Sequence, residues 1–73
     1  MDDYWHAIST KHQDKVRTLA RRHGVSIERA FRNIVRHLAW EMRQAGAAPY
    51  FDGFMTANRI EGMIDLIARY GTG

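Results

Sequence analysis

The stretch VRTLARRHGVSIERAFRNIVRHLAWEM, from Val16 to Met42, decides how this chain folds. Two helical patterns meet inside it, at Gly24-Val25-Ser26. Ahead of that junction Val16, Leu19 and Ala20 fall on one side, while Lys11, Arg17, Arg21 and Arg22 fall on the other, the pattern of an amphipathic helix from Lys11 to His23. Gly24 is the residue type that most readily takes the left-handed conformation ending a helix. Ser26 then offers a side-chain oxygen to an otherwise unpaired N–H at the start of the next one. So short a link allows only a tight helix-to-helix corner.

Working outward, the second helix is expected over residues 26 to 45. Ile27, Ala30, Phe31, Ile34, Val35, Leu38, Met42 and Ala45 crowd one face at helical spacing, which makes that face the core or the seam of a homodimer. The opposite face carries Arg29, Arg32, Arg36 and Arg43, with Trp40 set among them. Gly46 and Pro49 end the element. The loop that follows places Tyr50, Phe51 and Phe54 around an Asp52-Gly53 turn, and those rings are expected to cover the end of the helix pair, the alternative being an exposed contact patch. A third helix is expected over 56 to 70, capped by Thr56, stapled by Met55 against Ile60, and stopped by Gly71. Its apolar face would hold Ile60, Met63, Ile64, Ile67 and Tyr70, and Gly62 in its middle suggests close approach by a neighbouring helix.

Toward the N-terminus, Thr10-Lys11-His12-Gln13 fits a capping box starting the first helix at residue 11. Residues 2 to 9 admit two readings. As a helix, Trp5 and Ile8 join His12, Val16, Leu19 and His23 on one stripe. As a strand, Tyr4, His6 and Ile8 face one way and Asp3, Trp5 and Ala7 the other, an untidy alternation, so helix is the better fit. The expected fold is a mainly α, three-helix single domain spanning 1–73, with residues 3 to 8 open between a helical turn and a short strand.

Size and composition narrow the function. A chain of 73 residues buries too little apolar surface to be comfortably stable alone, which favours a dimer or a partner. It has no cysteine, so disulfides and thiolate metal sites are excluded. No apolar run approaches the roughly 20 residues of a membrane span, and Met1-Asp2-Asp3 has the wrong charge for a secretory leader, so a cytoplasmic protein is expected. The net charge of +3 hides a concentration of positive charge: residues 11 to 43 hold nine Lys and Arg against three acids, a local balance of +6. Such a segment suits a polyanionic or acidic partner.

Catalytic signatures are missing. His6, His12, His23 and His37 show no paired metal-ligand spacing, so no metal or cofactor is expected. Ser9, Thr10, Thr18 and Ser26 read as caps or surface hydroxyls, Asp52 and Asp65 form no evident acid and base pair, and no glycine-rich phosphate loop exists. Neither an enzyme nor a small-molecule substrate is expected.

Over Val16 to Met42 the pattern VxxLAxxxGxS, followed by Phe31, Val35 and Leu38, resembles the ribbon-helix-helix DNA-binding family of Arc-type repressors. The resemblance implies a homodimeric transcriptional regulator in which a strand before the first helix pairs across the dimer and enters the major groove. It further implies that backbone N–H groups at Val25, Ser26 and Ile27 meet phosphate. The groove-facing strand positions here would be Asp3, Trp5 and Ala7, which depart from the family's base-reading side chains. The same stretch also resembles a helix-turn-helix, implying that Ser26 to Arg36 enters the groove, with His23 and Asn33 where apolar residues are usual. A reading that needs neither family is an all-α, phage- or plasmid-type accessory factor. Its Arg29, Arg32, Arg36, Trp40 and Arg43 stripe would engage an acidic protein surface, since arginine and tryptophan are enriched at binding hot spots.

Overall fold

A computed structural model of the chain describes residues 3–46 and 56–70. They form helices α1 (Asp3–Ala7), α2 (Thr10–His23), α3 (Ile27–Gln44) and α4 (Ala57–Tyr70), with no strand among the described residues. The expected corner forms. Gly24 takes φ 68° and ψ 32°, Val25 N–H donates to Ala20 O at 3.0 Å, and Ser26 caps α3 by accepting from Arg29 N–H at 3.1 Å. Thr56 caps α4 in the same way, its Oγ1 accepting from Arg59 N–H at 3.3 Å. α3 ends at Gln44, followed by Ala45 and by Gly46 at φ 83°.

The segment left open between strand and helix is helical over Asp3–Ala7. Geometry explains the choice. Trp5 and Ile8 are three apart, so a helical turn turns both to one side, whereas a strand would send them to opposite faces. Both are buried, at 7% and 4% exposure. The Trp5 indole meets Phe31 edge to face, with ring centroids 5.2 Å apart and planes at 77°, and the Arg17 guanidinium lies over it at 5.5 Å. Gln13 Nε2 donates to Trp5 O at 2.8 Å. The start of α2 differs by one residue from the expected box: Ser9 is the cap, accepting from His12 N–H at 3.2 Å, while Gln13 reaches back to α1.

α2, α3 and α4 pack around Val16, Leu19, Phe31, Ile34, Ile60 and Ile64. The apolar face of α3, read above as a possible dimer seam, is therefore taken up inside the chain: Ala30, Phe31, Ile34, Leu38 and Met42 are all buried within one copy. Val35 and Ile27 sit half-buried beside them, and Ala45 is exposed. On α4, Tyr70 departs from its expected inward place and is 67% exposed, with Leu66 at 52% one turn before it. Gly62 is met by no neighbour: a Cβ built there finds nothing within 4 Å, so no helix of the described chain approaches it closely. The Pro49 loop, the Met55 staple and the Gly71 stop lie outside the described residues.

Polar contacts tie α2 to α4 at one end. Lys15 Nζ donates to Asp65 Oδ1 at 2.5 Å, His12 Nε2 faces the same oxygen at 3.0 Å, and Ser9 N–H donates to Glu61 Oε2 at 2.8 Å. His12 is half-buried there, whereas His23, expected on the same inward stripe, is exposed.

Candidate functional site

Because the core takes one side of α3, the arginines are left on the other. Arg29, Arg32, Arg36, Trp40 and Arg43 are all exposed, as the spacing implied, and Ser26 stands exposed at the head of the row. At about 1.5 Å per residue the row from Arg29 to Arg43 runs roughly 21 Å along the helix. Its members differ in what they already touch. Arg32 Nη2 donates to Glu28 Oε1 at 3.0 Å across one turn. Arg29, Arg36 and Arg43 make no ion pair among the described residues. Those three guanidinium groups are thus available to an outside anion.

Trp40 is 50% exposed, and its ring stacks on His37 with centroids 6.2 Å apart and planes at 20°. His37 Nε2 in turn faces Glu41 Oε1 at 3.4 Å. The indole therefore lies at the surface against the His37 ring, and is not folded into the core as Trp5 is.

Two depressions flank this row, and sequence reasoning missed both. One is polar, lined by Ser26, Glu28, Arg29, Arg32, Asn33 and Arg36. The other is a largely apolar groove of about 500 Å³ between α2, α3 and the end of α4, lined by Leu19, His23, Val25, Ala30, Asn33, Ile34, His37 and Ile67. Asn33 lines both, so it stands between the apolar groove and the cationic ledge, which are neighbours. Periodicity within one helix carries no signal for a groove made where three helices meet.

Val25 N–H, one of the groups the ribbon-helix-helix resemblance directs at phosphate, already donates to Ala20 O. Ser9, His12 and Asp65 lie in a row, with Ser9 Oγ 2.7 Å from His12 Nδ1, but the hydroxyl serves as the α2 cap and none of the three lines either depression. No group of three or more metal-ligating side chains is found among the described residues, and none of their helices is long and apolar enough to cross a membrane. No protein-family model, no curated protein and no solved structure matches the chain.

Proposed function

We propose that this chain is a small cytoplasmic accessory protein that binds an acidic partner protein through the Arg29, Arg36, Trp40 and Arg43 side of α3. The observation that carries the reading is the half-exposed Trp40, stacked on His37 and set among guanidinium groups that have no ion-pair partner among the described residues. Beside arginines an indole can supply the apolar centre of a contact whose rim is charged. Trp40→Ala is expected to weaken partner binding by roughly thirty-fold, the equivalent of about 2 kcal/mol at a hot spot, without loss of helical circular dichroism. Unchanged binding would contradict the proposal.

A second reading is a DNA-binding regulator, favoured by the roughly 21 Å row of arginines and the local balance of +6. In it α3 enters the major groove from Ser26 onward, as a helix-turn-helix resemblance implies. The ribbon form would require Trp5 and Ile8 to leave the core and residues 3 to 8 to pair across a homodimer. That dimer would need a seam other than the buried face of α3. A salt titration separates the readings: for DNA, log affinity falls linearly and steeply with log salt as counterions are released. Absence of any duplex shift at low salt would remove the DNA reading.

A further inference from the structure

We infer that the partner element is an acidic amphipathic helix whose apolar edge seats in the groove between α2, α3 and the end of α4, while its carboxylates meet Arg29 and Arg36; the inference rests on the acidic-partner reading above. The groove floor is apolar, with Leu19 and Ile34 buried and Ile67 half-buried, and about 500 Å³ accommodates more than one side chain. Its outer wall on α3 is Asn33 and His37, and just beyond stand Arg29, Arg36 and the stacked Trp40. An apolar furrow beside a cationic ledge matches a helix with leucine-like residues at three- and four-residue spacing and acids on the adjoining flank.

The conformation follows from the hydrogen bonds a bound segment needs. The described residues present no strand edge, so an extended peptide lying on this apolar wall would leave backbone N–H and C=O groups unpaired. A helix satisfies its own. The charge follows from what the chain already holds. Asp14, Glu28, Glu41, Glu61 and Asp65, the carboxylates of α2, α3 and α4, each face a cation, a histidine or a capping N–H within the chain, so those three helices of a second copy bring engaged carboxylates and set arginine against arginine. Duplex DNA carries the charge but no apolar edge to fill the groove.

The test titrates the full chain with two synthetic peptides of equal negative charge, followed by calorimetry and circular dichroism. One places leucine at three- and four-residue spacing among glutamates; the other replaces every leucine with serine. Burying one leucine in the groove predicts at least about tenfold tighter binding of the first, with a gain of helix on binding. Asn33→Phe, which fills the groove from an exposed position, and Ile67→Ser should remove that advantage while circular dichroism shows the chain folded. Arg29→Glu with Arg36→Glu should weaken both peptides. Equal affinities would overturn the groove inference and leave the basic face standing. No binding of either peptide by the folded chain would overturn both. Self-association in sedimentation that Asn33→Phe abolishes would assign the groove to a second copy and overturn the inference, as would duplex binding lost on Asn33→Phe.

Discussion

Among the described residues, Asp65 carries a carboxyl whose charge is tied to the contact between α2 and α4. Its carboxyl is held below the ordinary value of 3.8, first by the hydrogen bond from Lys15 and second by the approach of His12, against a smaller opposing effect of desolvation. A carboxyl depressed in the folded state contributes stability that is present above its unfolded value and lost as pH falls through the folded one. The side chain is 46% exposed, so solvent screening keeps the contribution modest and salt-sensitive. Urea midpoints measured from about pH 6 down to about pH 2 should therefore decline for the wild-type chain at the acid end. Asp65→Asn should start lower at neutral pH and decline less. Parallel acid limbs for the two would show that Asp65 is not what ties α2 to α4.

At the scale of elements, two glycines make opposite predictions from the same geometry. A Cβ at Gly24 and a Cβ at Gly62 would each meet nothing within 4 Å, so neither substitution is decided by packing. Gly24 has φ 68°, and alanine there takes on the left-handed penalty of about 1 kcal/mol or more. Gly62 lies inside α4, where alanine is favoured by about 1 kcal/mol. Gly24→Ala should lower the thermal midpoint and Gly62→Ala should raise it; a drop at Gly62 in the isolated chain would mean that an element outside the described residues rests on it. The corner at Gly24-Val25-Ser26, the arginine row and the cap at Thr56 were all legible in the sequence, because each depends on neighbours within one turn. The inward turn of Trp5 was ambiguous because what fixes it is Phe31, in another helix. Tyr70 was misplaced for a related reason: helical spacing puts it on the Ile60 and Ile67 stripe, but the core no longer reaches the last turn of α4. The groove beside Asn33 belongs to no single helix, so no periodicity announces it.

Across the whole molecule, the two faces of α3 can be tested separately, because Phe31 is buried in the core while Arg29 and Arg36 are exposed and make no ion pair among the described residues. Phe31, at 1% exposure, is the large side chain on which α1 and the core converge. Phe31→Ala should cost about 3 to 5 kcal/mol, which is the whole stability a core of this size commonly supplies, so the variant should lose cooperative unfolding. Arg29→Glu with Arg36→Glu touches only exposed side chains that make no ion pair among the described residues, so the stability change should stay within about 0.5 kcal/mol per site. The same double variant should weaken binding of acidic peptides, since it replaces two attractions with two repulsions. Chemical denaturation and peptide titration on the same preparations check both arms. If the double glutamate variant unfolded as readily as Phe31→Ala, the arginine row would be part of what holds the chain together, and its assignment as a recognition surface would fall. If it stayed folded and still bound the acidic peptides undiminished, recognition would have to lie on another face, with the exposed Leu66 and Tyr70 edge of α4 the next to test.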